Sequence, residues 1–319
     1  IILEKFIIDY FNLFQNYKEI NFNYILLQIC LILFSFYLNA KHNFKIPKNK
    51  WKISFISFLS ISTFSGLIQY FLIIFTSINL FDFERFITSA ITFPFIYLLH
   101  FNFSFRFRKK IGVPVYLNSM KNILDIYNKV GQNVDYIHID IIDKTMKNSK
   151  SDNSLNNFRL AKTLWPTKKI ESHIMSLNPE KWINLIYDES DAVFVHLESN
   201  YFKKSNIDNL KKLKKLGIVF LYNTSSTRIQ QTLSEFSFIK NILVLCIKKP
   251  GEYGQKFQKK SYKVIDFINQ LSNRSQINLV IDGGIDSDVN NNLMCENIVS
   301  GSYILGSIDS QRALIKLKV

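Results

Sequence analysis

Eight short β-rich runs separated by amphipathic stretches fill the chain from Gly112 onward, and this alternation limits the fold more than any other feature. The runs are Pro114–Asn118, Tyr136–Ile141, Ile170–Ile174, Ala192–His196, Ile218–Tyr222, Ile242–Ile247, Asn278–Ile281 and Asn297–Ser300. Helix-patterned segments lie between them, including Lys121–Val130, Pro179–Tyr187, Ile207–Leu216 and Lys259–Leu271. Eight β–α repeats in about 200 residues predict a (β/α)8 TIM barrel, whose chemistry sits at the C-terminal ends of its strands. A doubly wound open sheet is the alternative, and no Gly-x-Gly-x-x-Gly follows the first run.

The predicted strand ends carry titratable residues. The second run contains His138-Ile139-Asp140-Ile141-Ile142-Asp143, the third Ser172-His173-Ile174-Met175, and the seventh leads into Ile281-Asp282-Gly283-Gly284. Residues at i and i+2 share one face of a strand, so His138 and Asp140 point together into the barrel mouth. A single His in an apolar strand is more often a hydrogen-bonded core residue than a ligand. Two His and two Asp at matching strand ends have the donor set of a divalent-metal site.

These residues resemble the ribulose-phosphate 3-epimerase family over residues 112–319. That family's His-x-Asp-x-Met-Asp corresponds to His138–Asp143, its third-strand run to Ser172–Met175, and its Val-x-His to Val195-His196. Its Pro-Gly-Phe-Gly-Gly-Gln loop corresponds to Pro250-Gly251-Glu252-Tyr253-Gly254-Gln255, its Asp-Gly-Gly-Ile to Asp282–Ile285, and its Ala-Gly-Ser to Ser300-Gly301-Ser302. The resemblance implies epimerisation beside a ketone, with Asp140 and Asp282 exchanging protons on opposite faces of the carbon. It implies one divalent ion, zinc, iron or manganese, held by His138, Asp140, His173 and Asp282. It further implies a phosphorylated sugar substrate contacted by Asn118, Met175, Gly251, Gly254, Gly283, Gly284, Gly301 and Ser302. Backbone N–H groups after strands seven and eight would take the phosphate.

The chain also departs from the family. Val115 replaces a serine, Ile142 and Cys246 stand where two of three methionines would cover the reacting carbon, and Glu252 brings an acid near the phosphate region. The loop after Asp143 reads Lys144-Thr145-Met146-Lys147-Asn148, without the family's usual glycine. Retained acid–base residues beside altered loops imply the same chemistry on a ketose phosphate like ribulose 5-phosphate, and leave the identity of that sugar open.

Residues 1–110 form a separate, apolar domain before the barrel of 111–319. Phe22–Ala40, Ile53–Phe75 and Phe86–Phe103 each approach or exceed the ~20 residues of a bilayer-crossing helix. Ile1–Phe14 reads as the tail of a further span that begins before Ile1, with an amphipathic surface helix as the alternative. Lys41, Lys45, Lys48, Lys50 and Lys52 follow Phe22–Ala40, and Arg106, Arg108, Lys109 and Lys110 follow Phe86–Phe103. By the positive-inside rule both bands are cytoplasmic, which predicts a multi-pass inner-membrane protein with its barrel in the cytoplasm.

Phe36–Phe44 also aligns with Tyr97–Phe105: an apolar helix end, a polar residue (Asn39 or His100), aromatic residues and a basic exit. This internal repeat resembles the GtrA-like family of four-helix membrane proteins, which implies handling of polyprenyl-phosphate-linked sugars for surface polysaccharides. A plain lipid-bilayer anchor explains the same residues.

The formal net charge of +15 divides into +7 before residue 111 and +8 after it. No aromatic-interleaved basic stripe accompanies it, so nucleic acid is not expected as a partner. Cys30, Cys246 and Cys295 lack metal-ligand spacing and read as reduced, buried thiols, the last two in strands. Three functions remain in play: a membrane-tethered sugar-phosphate 3-epimerase, a bifunctional protein whose membrane part flips a lipid-linked sugar, and a non-catalytic binding barrel. Association into a homo-oligomer is left open.

Overall fold

A computed structural model of the chain describes residues 22–44, 46, 50–76, 83–105, 108–117, 120–146, 155–252 and 254–318; for 22–28, 69–76, 83–90 and 204 it describes the backbone alone. Two compact units result, one within residues 1–107 and one from Arg108 onward. The expected first span, Ile1–Phe14, lies outside the described residues.

The first unit holds helices α1 (Phe22–Leu38), α2 (Trp51–Thr76) and α3 (Phe83–Leu99). Both α1 and α3 run into a five-residue π turn, Asn39–Asn43 and His100–Ser104. In each turn a phenylalanine N–H reaches back five residues, Phe44 to Asn39 and Phe105 to His100, both at 2.9 Å. The aligned strings of the sequence thus share one backbone irregularity. The rings of Phe44 and Phe105 stack on each other, centroids 4.7 Å apart and 6° from parallel. Phe36, Ala40, Ile46 and Phe58 are buried around them.

The π turns take up the last residues of two expected spans, leaving α1 and α3 at 17 residues each. Among the described residues one helical stretch, Trp51–Ile68, is long and apolar enough to cross a membrane. Cys30, expected to be buried, is exposed on the outer side of α1.

The second unit is a closed parallel barrel in the order β1 to β8. Its strands are β1 (Lys110–Tyr116), β2 (Tyr136–Ile142), β3 (Lys169–Met175), β4 (Ala192–His196), β5 (Leu216–Leu221), β6 (Asn241–Leu245), β7 (Asn278–Asp282) and β8 (Asn297–Val299). The connecting helices include α4 (Met120–Val130), α5 (Leu155–Leu164), α6 (Glu180–Ile186), α7 (Ile207–Lys212), α8 (Ser226–Glu235) and α9 (Ser261–Gln270). After β7 and β8 come α10 (Ser287–Asn291), α11 (Ser302–Leu305) and α12 (Ser310–Lys318).

Alternation along each strand produces two apolar layers. Tyr136, Phe194, Val219, Leu243, Val280 and Val299 fill the barrel interior. Ile137, Ile139, Ile141, Val193 and Val195 pack outward against the helices. The expected helix Ile207–Leu216 stops four residues early, because Leu216 is buried as the first residue of β5. Cys246 and Cys295 are buried and unbridged but lie just outside β6 and β8. At the closed end, buried Arg274 makes two bonds to Glu296, at 2.9 and 2.8 Å, and Glu296 accepts the Leu279 N–H, pinning the start of β7.

Candidate active site

Strand β2 is buried along its whole length, so every polar side chain it sends into the barrel needs a partner there. Tyr136, at the bottom, donates its hydroxyl to the Ile298 carbonyl at 2.9 Å. Two and four residues on, His138 and Asp140 follow on the same face. The parallel register sets Asp140 beside His173 of β3 and His138 beside Glu171. On the other side of the barrel, Asp282 ends β7 next to Leu245 of β6.

The four side chains converge. One ligand atom from each of His138, Asp140, His173 and Asp282 lies within 4.8 Å of the other three. His138 Nε2 is 3.6 Å from Asp140 Oδ1 and 4.0 Å from Asp282 Oδ2. His173 Nδ1 is 3.3 Å from Asp140 Oδ1 and 3.8 Å from Asp282 Oδ2. Both imidazoles are fully buried.

The electrostatics of this cluster are unbalanced. Burial raises both carboxyl pKa values, with the His138 charge opposing it. Burial works to lower the His138 pKa but is outweighed by Glu171, Asp140 and Asp282, which bring it to about 9. Burial, His196 and His138 drive the His173 pKa well down. His138 Nε2, Asp140 Oδ1 and His173 Nδ1 are inaccessible to water and have no hydrogen-bond partner. Orphaned buried donors and acceptors are costly, and several aimed at one point fit a shared cation. Two imidazoles and two carboxylates suit a divalent ion of intermediate hardness, so the residues fit the metal expected of them.

Above the cluster a cleft opens. Its lining includes Asp140, Met175 and Asp282 together with Gly251, Gly254, Gly283, Gly284, Gly301 and Ser302. Ser302 Oγ accepts the Gly254 N–H at 2.8 Å, joining the loops after β6 and β8. Gly283 and Gly284 have φ of 101° and 70°, conformations L side chains rarely adopt. A Cβ on Gly284 would also collide with the Phe257 backbone nitrogen. Asn118 lies outside the described residues.

Two expectations change, and one residue was missed. Cys246 faces the outer layer, and Leu245 and Ile247 line the cleft instead, because inward residues of β6 continue the parity of Leu243. Val115, compared above with a serine, is likewise outward, and its neighbour Tyr116 faces the cleft. Glu171 was not singled out, although its i−2 spacing from His173 signals an inward side chain.

Fold and site together define a (β/α)8-barrel protein with a His2Asp2 cluster beneath a glycine-rimmed cleft. Residues 117–305 match the Ribulose-phosphate 3 epimerase family, and the chain belongs to that family. The match bears on nothing before residue 117. No curated protein matches the chain. Among solved structures, KGPDC from Streptococcus mutans is 15% identical over 66% of this chain and 96% of its own, with a TM-score of 0.46. The 3-hexulose-6-phosphate synthase from Salmonella typhimurium is 15% identical over 66% and 96%, with a TM-score of 0.47. Orotidine 5'-monophosphate decarboxylase from Methanocaldococcus jannaschii is 14% identical over 66% and 98%, with a TM-score of 0.44.

Proposed function

We propose that the barrel is a divalent-cation-dependent sugar-phosphate 3-epimerase. The observation that carries this reading is the convergence of His138, Asp140, His173 and Asp282, with unpartnered atoms, at the floor of the cleft. Asp140 and Asp282 both line that cleft, and burial raises both their pKa values. A carboxyl held up in this way can be either acid or base near neutrality. One carboxylate takes the proton from C3 of a ketose phosphate, leaving an enediolate. The other, protonated, returns a proton to the opposite face, which inverts the centre. When bound, a cation held by the four side chains would supply positive charge against the enediolate oxygens. Met175 and Leu245 place apolar surface beside the two carboxylates in the cleft, and the glycine loops at its rim leave room for a phosphate.

The proposal extends to the first 110 residues, read as a tether that holds the barrel at the cytoplasmic face of the inner membrane and serves surface-polysaccharide synthesis. The basic bands that follow Phe22–Ala40 and Phe86–Phe103 support it. So does the outward face of the first unit, where Ile53, Ile91, Phe93 and Phe103 are all exposed.

The test is to incubate the full chain with ribulose 5-phosphate and other ketose phosphates, plus a divalent metal, in D2O. Solvent deuterium at C3 of at least one of them is the expected result. No incorporation into any ketose phosphate by metal-loaded protein would leave the binding-barrel reading in its place.

A further inference from the structure

Behind the four converging atoms lies a second layer of polar groups that the reaction above does not use, with Glu171 and His196 buried and Glu198 at the surface. His138 turns Nε2 toward the carboxylates, so its Nδ1 faces away, and there it meets Glu171 Oε2 at 3.7 Å. His173 turns Nδ1 toward the carboxylates, and its Nε2 lies 2.9 Å from Nε2 of His196. The two rings are stacked 14° from parallel with centroids 5.0 Å apart. His196 Nδ1 in turn lies 3.6 Å from Glu198 Oε2. His138 Nδ1, Glu171 Oε2 and His196 Nδ1 are inaccessible and have no hydrogen-bond partner, so each of these facing pairs is an ion-pair contact still longer than a hydrogen bond.

These contacts dictate tautomers. A neutral imidazole carries one N–H, and a ligating nitrogen must offer a lone pair. If His173 ligates through Nδ1, its proton sits on Nε2 and is donated to His196 Nε2. His196 Nε2 must then be bare, which places the His196 proton on Nδ1, the atom that faces Glu198. By the same logic His138 ligates through Nε2 and carries its proton on Nδ1, facing Glu171.

We propose that Glu171, His196 and Glu198 are positioning residues: two carboxylate-ended arms that fix the tautomer and ring orientation of the cation-binding histidines. One arm runs Glu171–His138, the other Glu198–His196–His173. The first arises from the β2–β3 register, which sets His138 beside Glu171. The second comes from β4, whose His196 faces the barrel interior two residues beyond Phe194. The assignment rests on the reading of His138, Asp140, His173 and Asp282 as a divalent-cation site. Such outer partners raise ligand basicity and hold the ring in place, and their loss typically weakens metal affinity 10- to 100-fold.

The test uses the metal-free full chain titrated with Zn2+ alone. Glu198→Gln and Glu171→Gln should each weaken binding by about tenfold or more, with an unchanged unfolding midpoint for the metal-free Glu198→Gln chain. Glu198 is half exposed, so this variant folds even if the buried Glu171→Gln does not. A second readout is 15N NMR of the histidine rings in the zinc-loaded chain, which should show protons on His173 Nε2 and His196 Nδ1. A parent that binds zinc, with both variants within twofold of it or the opposite tautomers, overturns the positioning role and leaves the cation site standing. A parent that binds no zinc overturns both.

Discussion

The indole Nε1 of Trp182 donates to Asp143 Oδ2 at 3.3 Å, joining α6 to the turn after β2. The same carboxylate accepts the Thr145 N–H at 2.9 Å and the hydroxyls of Thr145 and Ser176. Burial works to raise its pKa, but the Ser176, Thr145 and Trp182 bonds outweigh it and hold the group below its ordinary value. A depressed carboxyl contributes stability above the ordinary carboxylate range and loses it as pH falls through the folded pKa. Asp143→Ala should therefore destabilise the barrel by about 1–2 kcal/mol near neutrality, discounted for partial exposure. The difference from the parent should vanish in acid; urea unfolding at several pH values measures it.

Removing two ligands should remove the metal. His138→Ala combined with His173→Ala is expected to cut bound divalent ion from about one per chain to below a tenth of that, with the far-ultraviolet circular dichroism of the parent retained. Elemental analysis after dialysis reads the outcome, and unchanged metal content would sink the ligand assignment.

Cation binding should also release protons. In the metal-free chain the His138 pKa is about 9 and both aspartates are raised, so a cation must displace protons at neutral pH. Affinity for a divalent ion should rise with pH up to about 9. Calorimetry in buffers of different ionisation enthalpy counts the protons, and a pH-independent affinity between 6 and 9 contradicts the site as drawn.

Asp140→Asn and Asp282→Asn keep an oxygen donor and the side-chain shape but cannot carry a proton at neutral pH. Each should lower turnover by at least ~10²-fold, the low end of what a positioned acid or base contributes. One of them should still exchange deuterium into C3 from a single face. Near-parental turnover in both would mean that the two carboxylates are not the acid and base.

The proposed topology is open to labelling. Ser226 is exposed at the start of α8. In a Cys30→Ser background, Ser226→Cys should resist an impermeant maleimide in intact cells and react after lysis. Labelling before lysis would place the barrel on the other side.

The inward pair His138 and Asp140 was legible because strand parity is a property of one segment. Asp282 was legible because it ends an apolar run and precedes two glycines. The pairing of His138 with Glu171, and of His173 with His196, was not, since it depends on register between strands. Cys246 was misplaced because setting it against a family methionine ignores the parity that Leu243 and Leu245 set. In the first unit, apolar length revealed helices, but the π turns depend on backbone hydrogen bonds that hydropathy does not encode.

The division of labour among the strands has a consequence for redesign. The four converging side chains come from β2, β3 and β7, whereas Gly251 and Gly254 sit in the loop after β6, and Gly301 and Ser302 lie between β8 and the first turn of α11. The Gly254 N–H joins those two segments through Ser302 Oγ, so a redesign would exchange them together. A library confined to them would vary the mouth of the cleft while leaving the ionisable floor untouched. The graft has fixed points: Phe257 must keep its backbone against Gly284, and within the exchanged segments Gly251 and Gly301 leave no room for a Cβ against Ile142 and Pro114.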